Sequence, residues 1–136
     1  MSAGIVSFSS PTPDQEYLIG VTREMARAQN ADQIMRFWAQ DVIWFDITAE
    51  SLRGYDKVKS EFSAQFDKLV SCDADILEID CFVSGDIGIV CSRQKFHAVP
   101  KSGDQDHHLT TRQTDCFRRD HGEWELIHQH ISLPTV

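Results

Sequence analysis

Residues 110–132 read TTRQTDCFRRDHGEWELIHQHIS, two β-periodic runs joined by a short polar turn that contains Gly122. Side chains alternate across a strand. In the first run Thr111, Gln113, Asp115 and Phe117 therefore share one face, and Thr110, Arg112, Thr114, Cys116 and Arg118 share the other. In the second run strict alternation sets Glu125, Ile127, Gln129 and Ile131 against Trp124, Leu126, His128, His130 and Ser132. An acid, an arginine and two histidines thus stand on adjacent strands, and the face that lines a cavity decides which of them can do chemistry.

Working outward, the residues after Cys72 continue this pattern. Ala74 to Val83, the turn Ser84-Gly85-Asp86, Ile87 to Val99 and the polar link Lys101 to Asp106 precede the pair already read. Upstream the period changes to helical. Thr12-Pro13-Asp14-Gln15 carries a cap, a proline suited to the first helical position and a glutamine three after the cap. Tyr17, Leu18, Val21, Met25 and Ala28 then form a core-facing stripe. Asn30-x-x-Gln33 repeats the capping signal, with Ile34, Phe37 and Trp38 in a second helix expected to end near Gln40. DVIWFD at 41–46 reads as a short strand. Tyr55, Val58, Phe62, Phe66 and Leu69 predict a third helix from Tyr55 to Val70. Three helices followed by a strand meander describe an α+β domain, with an antiparallel sheet covered on one side.

The chain has 136 residues, 41% of them hydrophobic and 25% charged, which suits one soluble globular domain. Residues 1–11 are expected to form a flexible arm and 12–136 a single domain. A net charge of −8 argues against nucleic acid, because binding to phosphates needs a basic face. No apolar run reaches the length of about 18 residues needed to span a bilayer, so no membrane association is expected. Neither a signal-peptide pattern nor CxxC spacing occurs, so the four cysteines are expected to be reduced and buried, and the location cytoplasmic.

Several local words resemble the nuclear transport factor 2-like superfamily, specifically its SnoaL-like and ketosteroid-isomerase-like members. They are ADQIMRFWAQDVIWFD at 31–46, SLRGYDKVKSEF at 51–62, VSGDIGIV at 83–90 and TRQTDCFRR with GEWELIHQHIS at the end. The resemblance covers about residues 14–134. It implies a cone-shaped fold in which three N-terminal helices pack on a curved antiparallel sheet enclosing a pocket. It also puts Asp46 where ketosteroid isomerases carry a general-base aspartate, and Asp115 where they carry the acid of an oxyanion hole. Met25 stands near the position of the isomerase's first-helix tyrosine, a departure from its pattern.

The end, GEWELIHQHISLP, also resembles the association domain of calcium/calmodulin-dependent kinase II, which oligomerises and binds small acidic ligands through arginines. Those arginines fall at Asp115 and Ile131 here. This kinship implies that Asp115, Gln129 and Ile131 face the pocket, and that Arg112, His128 and His130 face outward.

Asp46 and Asp115 are therefore the candidate catalytic pair. Trp44, Phe62, Phe66, Gln113, Gln129 and Ile131 are the candidate substrate-binding residues, and Arg112, Trp124, His128 and His130 the candidate homodimer contact. The partner expected is a small hydrophobic molecule, with no cofactor. No metal is expected either: His128 and His130 supply two donors where tetrahedral zinc needs three or four, and His107-His108 lies at a polar hairpin end. The expected activity is cofactor-free isomerisation, cyclisation or dehydration of a carbonyl compound; the alternative is a non-catalytic binding or assembly module.

Overall fold

The structure, a computed structural model, describes residues 10–47 and 51–134. The expected arm therefore falls almost wholly outside the described residues. Helix α1 spans Pro13–Ala26 and opens on the full capping box, with Gln15 N–H donating to Thr12 Oγ1 at 3.2 Å and Thr12 N–H to Gln15 Oε1 at 2.9 Å. Leu18, Val21 and Met25 form its buried stripe. Tyr17 leaves that stripe: it is 47% exposed, with its ring edge-on to Phe37 at 6.2 Å.

Helix α2 is only Ala31–Ile34, and Trp38 belongs to strand β1, Trp38–Phe45. The expected continuation to Gln40 fails because strand pairing satisfies this backbone. Leu126 N–H donates to the Phe37 carbonyl at 2.7 Å, and Trp38 stands in register with Leu126. The Trp38 ring also packs edge-on against Trp44 and Phe62, at 6.4 and 5.3 Å.

Strand β2, Leu52–Arg53, pairs with β1 and leads into helix α3, Tyr55–Asp67. Gly54 enters that helix at φ 94°, a conformation open to glycine, while its N–H donates to the Val42 carbonyl at 2.8 Å. The helix stops before Leu69 because the chain is already pairing there: β3, Leu69–Ser84, starts opposite Pro100 of β4, Ile87–Pro100. Strands β5, His107–Asp120, and β6, Glu123–Ser132, complete a six-stranded sheet in the order β2-β1-β6-β5-β4-β3. The sheet is curved and unclosed, with the helices packed against one face. Four of its ladders are antiparallel, and the β1–β6 ladder is parallel.

One irregularity overturns an expected orientation. Cys116 pairs with His128 but Phe117 pairs with Leu126, so Ile127 is an extra residue in β6. A bulge of one residue reverses the alternation beyond it. Trp124 and Leu126 consequently share the inner face with Gln129 and Ile131. Trp124, expected at a subunit contact, is 7% exposed in the core, with Arg119 over its ring at 4.7 Å and its Nε1–H donating to Asp14 Oδ1 at 3.3 Å.

The core lies between helices and sheet, with Leu18, Met35, Val42, Trp44, Val58, Val90, Phe117 and Leu126 fully buried. Close approach of α1 to β4 depends on Gly88, where a Cβ would stand 2.4 Å from Leu18 Cδ1.

Candidate functional site

Inward-facing residues of β4, β5 and β6 meet α1 and α3 around a cavity of about 840 Å³. That volume suits a small organic ligand, since such sites run about 300–1,000 Å³. Trp44, Phe62 and Phe66 form an aromatic wall, with Trp44 and Phe62 at 4.4 Å and Phe62 and Phe66 at 6.1 Å between ring centroids. Met25, Ile34, Phe96, Leu109 and Ile131 add apolar surface. The exposed side chains Lys68, Lys101, Ser102, Asp104 and His107 also line it, marking its open end.

Polar groups converge at two places. Asp46, just past β1, lines the cavity and accepts from Gln65 Nε2 at 3.1 Å; the same nitrogen donates to Glu61 Oε2 at 3.0 Å, one helical turn back on α3.

The second place is beneath the sheet side of the cavity. Asp115 is fully buried and does not itself line the space; Gln113 and Gln129 cover it. Gln113 Nε2 donates to Asp115 Oδ2 and Gln129 Nε2 donates to Asp115 Oδ1, both at 2.9 Å. Trp44 Nε1–H donates to Gln129 Oε1, also at 2.9 Å. An indole nitrogen can only donate, so Trp44 fixes Gln129 with its oxygen toward the ring and its nitrogen toward Asp115. Gln113 has no such anchor among the described hydrogen bonds and can turn over.

Burial raises the Asp115 carboxyl to about 6, with the Gln113 and Gln129 hydrogen bonds opposing the shift. The carboxylate therefore changes charge near neutrality. Arg112, three residues before it on β5, points to the opposite face and is exposed.

Residues Trp44, Asp46, Phe62, Phe66, Gln113, Gln129 and Ile131 thus come together around one space, with Asp115 one layer behind. Sequence reasoning missed Gln65, Gln94 and Thr111 in the lining. Alternation through Val90, Ser92 and Gln94 carried a signal for Gln94, which is buried and donates to Ser92 Oγ at 3.0 Å.

On the outer face Arg112 and His130 are exposed and His128 is half-buried. His128 Nδ1 lies 2.8 Å from the Ile43 carbonyl, and Phe45 packs against His128 and His130 at 5.0 and 5.6 Å. All four cysteines are free thiols, but only Cys72 is buried; Cys81, Cys91 and Cys116 are half-buried.

A model of the SnoaL-like domain family matches residues 18–136. The chain belongs to that family. Solved structures agree on the architecture of this SnoaL-like domain. An NTF2-like protein of unknown function from Pseudomonas putida KT2440 is 17% identical, covering 94% of this chain and 92% of its own, with a TM-score of 0.80. A candidate aromatic ring hydroxylase from Novosphingobium aromaticivorans is 14% identical over 94% of each chain, with a TM-score of 0.82. A candidate scytalone dehydratase from the same species is 12% identical, covering 90% and 85%, with a TM-score of 0.80. At these identities the likeness is one of fold. No curated protein matches the chain. Among the described residues no helix is long and apolar enough to cross a membrane.

Proposed function

We propose that this SnoaL-like domain binds a small, largely apolar carbonyl compound in the cavity and acts on it by cofactor-free acid/base chemistry. The observation that carries this reading is the buried Asp115 carboxyl with its two glutamine covers, facing a space that Asp46 also lines. Asp46 removes a proton next to the carbonyl, and the Gln113 and Gln129 amides stabilise the enolate oxygen. Asp115 sets what those amides offer. When protonated, its O–H needs an acceptor, and Gln113 can turn its oxygen inward and present its nitrogen to the ligand, whereas Gln129 stays pinned by Trp44. An isomerase, cyclase or dehydratase would use the same step.

This reading separates from a non-catalytic binding module by Asp46→Asn. Gln65 can donate to an amide oxygen as well as to a carboxylate, so the variant is expected to melt at the same or a higher temperature and still bind pocket ligands. A loss of about 1–3 kcal/mol in unfolding free energy would mark Asp46 as a structural acceptor and favour the binding module.

The outer sheet face supports a homodimer. Phe82, Ile87 and Ile89 are 63%, 46% and 36% exposed, and Phe82–Ile89–Cys116–His128 runs in register across four strands. Exposed apolar area of this kind marks a partner surface. Arg112, His128 and His130 border it, while Trp124 has no part in it. Light scattering should give the mass of two chains, and a monomer at micromolar concentration would contradict the pairing. Free thiols fit the cytoplasm as its location.

A further inference from the structure

Beside the open end of the cavity, where Asp73 and His107 border it, the outer face of the sheet collects side chains of another kind. Asp73, His97 and His108 stand in register on β3, β4 and β5, and Asp106 enters from the link just before β5. His97 Nε2 lies 2.9 Å from Asp106 Oδ2. One ligand atom each from His97, Asp106 and His108 falls within 4.8 Å of the others. We propose that these three side chains bind a divalent transition-metal ion, Zn²⁺ above all, with water completing the coordination.

The donor set fits. Two imidazoles and one carboxylate are the protein ligands of an open tetrahedral zinc site, and zinc holds such nitrogens and oxygens at about 2.0–2.2 Å. Ligand atoms on a tetrahedral ion are then about 3.4 Å apart by the same bond lengths. The His97–Asp106 pair must open slightly, and the His108 ring must swing toward them. His108 and Asp106 are exposed and His97 is partly so, which leaves room for these rotations.

The His97 and His108 rings stack at 4.6 Å with 15° between planes, so the movement required is a turn of side chains on a fixed backbone register. The second nitrogen of His97 is also provided for: Nδ1 faces Asp73 Oδ1 at 3.7 Å. At 3.7 Å this is beyond hydrogen-bond reach, and a small closing of the gap on metal binding puts the carboxylate behind the ligating imidazole, where it holds the N–H on Nδ1 and leaves the Nε2 lone pair for the metal. Neither His128 nor His130 has a carboxylate so placed among the described ion pairs. The competing arrangement is the His97–Asp106 hydrogen bond left as it stands, which holds no metal. This site departs from the sequence expectation of none, because the His97–His108 juxtaposition is set by strand register and not by spacing along the chain.

Zn²⁺ titrated into the full chain by calorimetry at neutral pH is expected to bind at one equivalent per chain with micromolar affinity. His97→Ala and His108→Ala should each abolish that binding without changing the melting temperature of the metal-free protein. Asp73→Asn should weaken it about 10- to 100-fold. His121→Ala, at the β5–β6 turn, should bind as the parent does. Full-strength binding by His97→Ala and His108→Ala, or binding lost only on changing His128 and His130, would overturn the proposal. So would failure of the parent chain to bind at sub-millimolar Zn²⁺.

Discussion

Trp44→Ala is expected to lower the unfolding free energy by about 3–5 kcal/mol, the range for truncating a large buried aromatic. Trp44 is fully buried, packs against Trp38 and Phe62, and is the donor that fixes Gln129. Domains of this size are stable by about 5–15 kcal/mol, so the variant should stand near the edge of folding. Trp44→Phe separates the two roles. It keeps most of the ring packing but removes the N–H, and the buried Gln129 oxygen left without a donor should cost about 1–3 kcal/mol. Urea titrations of the three proteins measure both quantities. A cost below about 1 kcal/mol for Trp44→Ala would contradict the packing described.

Asp115 should make stability depend on pH in a direction unusual for an aspartate. Its carboxyl titrates at about 6 in the folded chain, above its ordinary value of 3.8. Between those values the folded state holds the proton more tightly than the unfolded state, so stability falls as pH rises. The contribution is complete below 3.8, declines through the interval and is lost above about 6. A shift of this size is worth about 3 kcal/mol at about 1.4 kcal/mol per unit.

Asp115→Asn removes the titration. Gln113 can turn its oxygen toward the new amide, while Gln129 continues to donate to the amide oxygen. The difference in unfolding free energy, variant minus parent, is therefore expected to move in the variant's favour by about 2.5 kcal/mol from pH 4 to pH 8. Denaturant titrations across that range decide it, and a difference independent of pH would show that Asp115 does not titrate there.

Much of this architecture is legible in the chain because local chemistry and fold agree at particular residues. Thr12 and Gln15 announce the first helix, and Val58 and Phe62 place the inner side of the third. Alternation groups Gln113, Asp115 and Phe117 on one face of β5, and the resemblance to the kinase association domain, not the alternation, makes that face the inner one, where Asp115 and Phe117 are buried.

What was not legible has physical reasons. The bulge at Ile127 adds one backbone residue with no glycine or proline to announce it, and it turns Trp124 from the outer face to the core. Trp38 fits the helical period of Ile34, yet the parallel ladder to β6, formed with residues far along the chain, outweighs that propensity. The glutamine covers of Asp115 follow from parity, but their orientation comes from the Trp44 indole, on a strand most of the chain length away. His97 and His108 meet only because β4 and β5 pair in one register.

The most direct test of the proposed chemistry is exchange of the protons next to a carbonyl. Small apolar ketones that quench cavity tryptophan fluorescence would be incubated with the protein in D₂O and followed by proton NMR. The account predicts that the parent chain accelerates loss of the α-proton signals over buffer, and that Asp46→Asn binds the same ketones without accelerating it. Exchange at the buffer rate for every ketone that binds, or acceleration undiminished in Asp46→Asn, would contradict it.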